Sequence, residues 1–217
     1  MLPAANVAAT TMARGRLITI EGLDGAGKST LARSLARALE ERSIEAQLLR
    51  EPGGVAAAER MRELVKDPQL TLGARAEALL YAAARAQLVD QAVRPLLENG
   101  TWVVLDRFVD SSLAYQGAGR DLGIPAVRRI NEFATGHLMP DRTLLLIVDP
   151  VLGLSRLSAR EQPLDRLEQE DDSFRARIAE AYFDLAENEP DRIRLIDGSL
   201  EPARVLAAAL EALADLI

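Results

Sequence analysis

The stretch "ITIEGLDGAGKSTLARSLARAL", residues 18–39, decides the fold, because it joins an apolar β-rich run to a glycine-rich loop and then to an amphipathic helical pattern. Gly22, Gly27, Lys28 and Ser29 match G-x-x-x-x-G-K-[ST] in the strand–loop–helix context that a P-loop requires. The glycines let backbone N–H groups converge on phosphate oxygens at a helix N-terminus. The loop therefore predicts a site for a nucleoside triphosphate.

Within this loop, Lys28 is predicted to reach the β- and γ-phosphates, and the Ser29 hydroxyl is predicted to bind magnesium. The predicted nucleotide-binding residues are Gly22, Leu23, Asp24, Gly25, Ala26, Gly27, Lys28, Ser29 and Thr30. Regulatory GTPases, ATP-driven machines and small-molecule kinases all contain such a loop, so it does not define a reaction. Because the sequence has no N-K-x-D tetrapeptide, which reads guanine, a GTPase is disfavoured.

The length and composition favour one domain. The 217-residue chain has no linker-like stretch, so we predict a single domain at 15–217 after a disordered tail at 1–14. The lack of cysteine excludes disulfides and zinc–thiolate sites and leaves a cytoplasmic location as the expectation. A net charge of −7 argues against broad nucleic-acid binding, and no apolar run is long enough to span a membrane. The expected partner is a small anion.

Short apolar runs alternate with longer helical patterns along the chain. The predicted strands are 16–21, 46–51, 101–106, 142–149 and 192–197. The predicted helices are 28–42, 55–66, 74–98, 123–136, 150–159, 171–187 and 201–215. Several strands are apolar throughout, as in a parallel sheet that is covered on both faces. The alternation predicts an α/β fold, a doubly wound five-stranded parallel sheet flanked by helices, with ligands at the carboxyl ends of the strands.

Asp106 and Arg107 end the third predicted strand, at the sheet edge where the P-loop also lies. A carboxylate there can hold magnesium or its water shell, and the guanidinium can bind a phosphate through two donors. We therefore predict that Ser29 and Asp106 bind the metal ion. A solvated ion pair at the end of a strand is the alternative for this dipeptide.

Further motifs occur in order along the chain. They are "EGLDGAGKST" at 21–30, "REPGG" at 50–54, "YAAARAQ" at 81–87, "DRFVDSSLAYQGAGR" at 106–120 and "LDRLEQE" at 164–170. Together they resemble the bacterial thymidylate kinases, over about residues 17–200. The resemblance implies a P-loop nucleoside-monophosphate kinase fold with a lid. It also implies a homodimer that uses ATP and Mg²⁺ to phosphorylate thymidine 5′-monophosphate (dTMP) to dTDP, in dTTP biosynthesis.

The resemblance assigns an acceptor site to the part of the chain after the P-loop. Tyr81 matches an aromatic residue that stacks on thymine, and Arg85 matches a donor to a base carbonyl one helical turn later. Gln116 matches an amide that reads the base, Tyr115 is expected near the sugar, and Arg107 is expected on the acceptor phosphate. The predicted dTMP-binding residues are Asp24, Glu51, Arg62, Tyr81, Arg85, Arg107, Ser111, Tyr115 and Gln116.

Some of these positions have alternative interpretations. Asp24 is an acid beside phosphates, which is repulsive unless a metal ion or a sugar hydroxyl accompanies it, so it suggests close approach of the acceptor sugar or the metal. A solvent-facing loop acid is the alternative. Tyr81 can instead fill the core beside an alanine-rich helix. The glycines before Arg120 indicate a flexible segment, and a simple turn is the alternative.

The segment "LSRLSAREQPLDRLEQE" mixes arginines and acids between two helical patterns, as a mobile lid at about 156–171 does in the family. Thymidylate kinases carry a catalytic arginine either in the P-loop or in the lid. Because Gly25 and Ala26 occupy the variable P-loop positions, we expect the lid to supply it. Arg160 is the first choice and Arg156 the alternative, and Arg156 can also lie against adenine. A solvated charged helix is the alternative for the whole segment.

The sequence thus predicts a thymidylate kinase activity, with Lys28, Arg160, Arg156 and Arg107 as catalytic residues and ATP, dTMP and Mg²⁺ as ligands. Neither nucleic acid nor a membrane is an expected partner. Another nucleoside or nucleotide kinase of the same fold is the nearest alternative, followed by a P-loop regulatory NTPase and by an inactive scaffold. The alanine-rich helix 74–98 offers a close-packing face for a homodimer.

Overall fold

The computed structural model describes residues 14–159 and 165–217 of the chain. The strands in these ranges are β1 (Leu17–Glu21), β2 (Ala46–Arg50), β3 (Trp102–Asp106), β4 (Arg142–Ile147) and β5 (Ile193–Asp197). They form one sheet in the order β2-β3-β1-β4-β5, and every neighbouring pair is parallel. The predicted doubly wound α/β fold with a five-stranded parallel sheet is confirmed.

Helices cover the sheet on both faces. In the described ranges they are α1 (Lys28–Glu40), α2 (Ala56–Lys66), α3 (Ala74–Leu88), the π-helix π1 (Val89–Val93), α4 (Arg94–Glu98), α5 (Val109–Ser112), the π-helix π2 (Leu113–Gly119), α6 (Ile124–Thr135), α7 (Pro150–Ser158), α8 (Asp172–Asn188) and α9 (Pro202–Glu211). The predicted helix 74–98 is continuous but passes through π1 just before Pro95. Because Pro95 has no N–H for the carbonyl four residues earlier, a π-helical turn accommodates the missing hydrogen bond.

The segment before Arg120 differs from its prediction. We expected its glycines to make it flexible, whereas α5 and π2 make it helical. A Cβ atom on Gly119 would lie 2.7 Å from the Phe174 ring, and one on Gly117 would lie 3.2 Å from Ile124. The glycines therefore allow π2 to pack closely against α8 and α6, which sequence alone does not distinguish from flexibility.

The side chains of strand β1 face the helices on the two sides of the sheet in alternation. Leu17 belongs to a buried cluster with Leu113, on the face that α8 and π2 cover. Ile18 and Ile20 point to the opposite face, where they pack in a second cluster with Leu35 of α1. Each such fully buried side chain contributes about 1.5–3 kcal/mol, so the alternation along β1 fixes the sheet between its helices.

The carboxyl edge of the sheet brings the predicted motifs together. Ile20 of β1 is in register with Asp106 of β3, and Arg50 of β2 is in register with the same residue. The P-loop follows β1, so it lies directly beside the Asp106–Arg107 pair. In the described parts of the chain, no helix combines the length and the apolar character that a membrane span needs.

Candidate active site

The P-loop lies between β1 and α1, and α1 begins at Lys28. The Lys28 ammonium donates to the carbonyl oxygen of Leu23 at 2.7 Å and lies 3.7 Å from Oδ1 of Asp24. Burial, followed by repulsion from Arg107, lowers the pKa of Lys28 to about 8. The ammonium is thus held within the loop, where the positive end of the α1 dipole also favours an anion.

Gly25 explains in physical terms why this P-loop carries no arginine at that position. Its φ angle is 83°, and a Cβ atom there would lie 2.1 Å from the carbonyl oxygen of Gly153 in α7. No side chain fits without moving α7 away from the loop. Position 25 therefore cannot supply an arginine to the loop.

The structure describes one of the two candidate lid arginines, Arg156. Arg160 lies outside the described residues. The Arg156 guanidinium donates to the carbonyl oxygen of Gly198 at 2.8 Å. It lines a second cavity of about 230 Å³ together with Ala26, Thr30 and Pro202, on the other side of the P-loop. Arg156 therefore lies beside the P-loop, with its guanidinium on the residue that follows β5.

Ser29 and Asp106, the two predicted metal ligands, are in direct contact. The Ser29 hydroxyl donates to Oδ2 of Asp106 at 2.6 Å. Both groups present oxygen, the ligand that Mg²⁺ prefers, and Mg²⁺ commonly binds one or two protein oxygens together with phosphates and water. In the described residues no cluster of three histidine, cysteine or acidic side chains forms a separate metal site. The donor set therefore fits Mg²⁺ bound with a nucleotide.

Arg107 lies at the centre of a polar cluster after β3. Its Nη2 group donates to Oδ1 of Asp24 at 2.6 Å and to the Tyr115 hydroxyl at 3.1 Å, and Nη1 donates to Ser111 Oγ at 2.9 Å. Burial disfavours the charge of Asp24, but the nearby Arg107 and Lys28 charges outweigh burial and hold the pKa of Asp24 well below its usual range. The structure thus brings four predicted acceptor-site residues into one hydrogen-bonded group.

Glu21 is a buried residue at the end of β1, the first residue of the motif at 21–30, to which the sequence assigned no role. Its carboxylate accepts hydrogen bonds from the N–H groups of Phe108 at 2.7 Å and Ser111 at 3.2 Å, and from the Tyr182 hydroxyl at 2.9 Å. Arg107, just before this turn, has a φ of 72°, which is costly for a non-glycine residue. Glu21 therefore stabilises the turn that carries Arg107. An acid at the end of an apolar strand is the signal that could have indicated it.

Arg85 and Glu51 form a buried pair beneath the site. The Arg85 side chain is 2% exposed, and its Nε donates to Oε2 of Glu51 at 2.7 Å. The guanidinium also donates to Ser112 Oγ, to Asn131 Oδ1 and to the Phe108 carbonyl oxygen. Burial raises the pKa of Glu51 to about 7, although Arg85 opposes that effect. Arg85 is thus held by protein acceptors, and its direct contact with a base stays a prediction.

One cavity of about 550 Å³ joins the P-loop to the predicted acceptor site. The predicted site residues that line it are Asp24, Gly25, Gly27, Lys28, Ser29, Thr30, Glu51, Arg62, Tyr81, Arg85, Asp106, Arg107, Ser111, Tyr115 and Gln116. Arg62 donates to the Pro52 carbonyl oxygen at 2.8 Å, which fixes it at the rim. Tyr81 is half-buried at the cavity wall rather than in the core, so the structure favours the site position over core filling.

Glu77 is a second buried acid to which the sequence assigned no role. It accepts a hydrogen bond from Gln116 and forms ion pairs with Arg120 and Arg166. Glu77, Tyr81 and Arg85 are spaced by four residues, so they lie on one face of α3. That spacing is the sequence signal that could have connected Glu77 with the site.

The P-loop follows the central strand of this parallel sheet and opens on a cavity rich in polar groups. These features define a P-loop protein of the nucleoside-monophosphate kinase fold. The family model described as thymidylate kinase matches residues 20–208. By this match, and by the relatives described next, the chain belongs to the thymidylate kinase family. The resemblance of the five sequence motifs is therefore confirmed.

Curated thymidylate kinases match most of the chain. That of Lactobacillus delbrueckii subsp. bulgaricus is 45% identical over 201 residues, which cover 91% of this chain and 95% of the relative. That of Deinococcus radiodurans is 47% identical over 188 residues, covering 87% and 91%. That of Alkalilimnicola ehrlichii is 44% identical over 207 residues, covering 95% of each chain. The chain therefore spans nearly the whole length of these relatives.

Proposed function

We propose that the chain transfers the γ-phosphoryl group of ATP to dTMP and releases ADP and dTDP, a step that supplies dTTP. Family membership supports this reaction, and the continuous cavity from the P-loop to Tyr81 and Gln116 is the observation that carries it. Such a cavity can hold the donor and acceptor phosphates side by side, so that the phosphoryl group is transferred directly between them. The enzyme is a transferase, and we expect it to act in the cytoplasm.

On the donor side, the P-loop N–H groups and Lys28 bind the triphosphate. Lys28 stabilises negative charge on the transferred group, since in phosphoryl transfer the protein mainly positions phosphates and neutralises charge. Ser29 and Asp106 would hold Mg²⁺, which when bound neutralises charge on the β- and γ-phosphate oxygens. Arg156 lies beside the cavity that we assign to adenine. A further arginine from the lid, Arg160, completes the predicted set.

On the acceptor side, Arg107 binds the phosphate of dTMP through its planar fork of donors. A phosphate monoester is ionised near neutral pH, so an oxygen of dTMP attacks the γ-phosphorus in line without a general base. Asp24 and Tyr115 lie within hydrogen-bond distance of Arg107, and we assign them to the sugar. Because the same residues hold Arg107 in place, sugar and phosphate are recognised by one cluster.

The base is assigned to the wall of the cavity formed by α3 and π2. Tyr81 offers a flat apolar ring for stacking, and Gln116 offers an amide for an edge of the base. Arg85 is the predicted donor to a base carbonyl, and its buried pair with Glu51 stabilises this wall. The pocket is therefore suited to a flat base with hydrogen-bonding groups on one edge.

A coupled assay of ADP release with dTMP, dUMP, dCMP and dAMP as acceptors tests the proposal. We expect dTMP to have the highest kcat/KM. Equal turnover of all four would favour another nucleotide kinase of the same fold, and slow turnover without any acceptor would favour a regulatory NTPase. Binding of nucleotide with no turnover would favour an inactive scaffold.

We also propose a homodimer. Leu79 of α3 and Phe133 of α6 are large apolar side chains on two helices that pack together, and they are 57% and 91% exposed. A second copy of this face can cover them, because a two-fold interface is self-complementary. Light scattering after size exclusion is expected to give twice the chain mass. Phe133→Asp is expected to give a monomer. A wild-type mass equal to that of one chain would contradict the assembly.

A further inference from the structure

Glu77 connects three segments of the chain through one buried carboxylate. Its side chain is 0% exposed. Gln116 of π2 donates through Nε2 to Oε1 at 2.9 Å. Arg120, just after π2, pairs with Oε2 at 3.1 Å, and Arg166, in the segment after residues 160–164, pairs with Oε2 at 2.6 Å.

Two guanidinium groups form ion pairs with the buried Glu77 carboxylate. A carboxylate without water around it is costly unless cations and hydrogen-bond donors compensate it, and both are present here. An ionised carboxylate has no proton to donate and therefore only accepts hydrogen bonds. Glu77 thus accepts the amide N–H of Gln116 and cannot interact favourably with its carbonyl oxygen.

This restriction fixes which end of the Gln116 amide turns toward Glu77. The NH₂ group faces the carboxylate, so the carbonyl oxygen lies on the other side of the amide. Within residues 14–159 and 165–217, Oε1 of Gln116 accepts no hydrogen bond, and the side chain lines the cavity. A hydrogen-bond acceptor is therefore available at the wall where the base is assigned.

We propose that Glu77 is a specificity-determining positioning residue, which holds Gln116 with its carbonyl oxygen toward the base and thereby selects bases with a ring N–H on that edge. Thymine and uracil carry such a donor at N3. Cytosine carries a lone pair at N3, which would oppose the lone pairs of the Gln116 carbonyl. The inference rests on the proposed function, since it assigns the acceptor base to this wall.

The substitution Glu77→Gln is expected to reverse this selection. Arg120 and Arg166 only donate hydrogen bonds, and both donate to Oε2, so the carbonyl oxygen of the new amide would take that position and its NH₂ group would face Gln116. This orientation gives up the 3.3 Å bond from Arg120 Nε to Oε1. Gln116 would then turn its own carbonyl toward residue 77 and its NH₂ group toward the base. That orientation opposes the N–H of thymine and matches the N3 lone pair of cytosine.

The experiment compares kcat/KM for dTMP, dUMP and dCMP in wild type, Glu77→Gln and the matched control Glu98→Gln. Glu98 is an exposed acid at the end of α4, in the same run of helices. We expect Glu77→Gln to lower the dTMP/dCMP ratio at least about tenfold. The dTMP/dUMP ratio should stay unchanged, because both bases share the N3–H and differ only in the methyl group. Glu98→Gln should change neither ratio.

An equal loss with all three acceptors would mean that Glu77 is only structural and would overturn the inference. If Glu77→Gln does not fold, Glu77→Asp serves instead, because it keeps the charge for both arginines but moves the acceptor away from Gln116. An unchanged dTMP/dCMP ratio in Glu77→Asp would also overturn the inference. If wild type turns over none of these acceptors, the proposed function fails. In that case the ratio of dTMP and dCMP dissociation constants, measured by calorimetry, tests Glu77 independently of the reaction.

Discussion

The two halves of the active site are built in different ways. The donor half comes mainly from the P-loop and the start of α1, where backbone N–H groups and Lys28 follow one another in sequence. The acceptor half is assembled from separate segments, and the buried acids Glu21, Glu51 and Glu77 hold its arginines and its amide in place. A phosphate cradle can thus be built from local backbone conformation, whereas the proposed nucleoside site depends on side chains that tertiary structure brings together.

Removal of Lys28 from the donor half should cause the largest loss of catalytic rate. Lys28→Ala removes a positioned charge from the transferred phosphate, and we expect kcat to fall about 10²–10³-fold. Lys28 contacts the acceptor half through a 3.7 Å ion pair with Asp24, which Arg107 also holds at 2.6 Å, so dTMP binding measured by calorimetry should change little. A variant that keeps more than a tenth of the wild-type kcat would contradict the assigned role.

Arg107→Lys should damage the acceptor half and spare the donor half. Lysine keeps the charge but loses the planar fork that holds Asp24, Ser111 and a phosphate together. We expect kcat/KM for dTMP to fall about 10²-fold while KM for ATP stays within about twofold. Steady-state kinetics with each substrate varied in turn measures both values.

The matched control for Arg107→Lys is Arg37→Lys, at a position on α1 whose side chain is 81% exposed. It makes the same chemical change outside the cavity and should leave both constants unaltered. A rise in KM for ATP with an unchanged KM for dTMP in Arg107→Lys would reverse the assignment of Arg107.

Glu21→Gln tests the acceptor half alone, because it changes a residue that positions Arg107 and that we do not assign to either substrate. The carbonyl oxygen of the new amide would keep the Phe108 and Ser111 N–H groups, whereas its NH₂ group would replace the acceptor that the Ser111 and Tyr182 hydroxyls now use. We expect a loss of about 1–3 kcal/mol in the free energy of unfolding, measured by urea denaturation. Arg107 loses its fixed position, so kcat/KM for dTMP should fall about tenfold. An unaltered midpoint and unaltered kinetics would show that Glu21 does not stabilise this turn.

The pH dependence of ATP binding gives the smallest expected effect. Burial lowers the pKa of Lys28 to about 8, so above pH 8 the free protein progressively loses the charge that attracts the triphosphate. We expect the dissociation constant for ATP to rise several-fold between pH 7.5 and about 9, and the rise should be absent in Lys28→Arg, which stays charged. Calorimetry across this range measures both proteins, and a flat profile for wild type would contradict the assignment.

The sequence predicted the fold and the donor half because both depend on local patterns. Apolar periodicity located the strands, and the spacing of Gly22, Gly27 and Lys28 defined the P-loop. The position of Arg107 at the end of a strand predicted a phosphate-binding residue, whereas its acceptor role and that of Gln116 came from a resemblance to known motifs.

The remainder could not be predicted, because it depends on tertiary contacts. Glu21 and Glu77 look like ordinary acids until the fold buries them among donors from distant segments. The glycines of π2 indicated flexibility, whereas contacts with α6 and α8 decide that they allow close packing. Local patterns therefore define elements and loops, while burial decides which charged residues position the site.

Phosphoryl transfer by the wild-type protein can be followed by ³¹P nuclear magnetic resonance with ATP, Mg²⁺ and dTMP. We expect ADP and dTDP to form in equal amounts, with no release of inorganic phosphate, because both halves of the site open on one cavity. Release of inorganic phosphate from ATP without formation of dTDP would contradict the account.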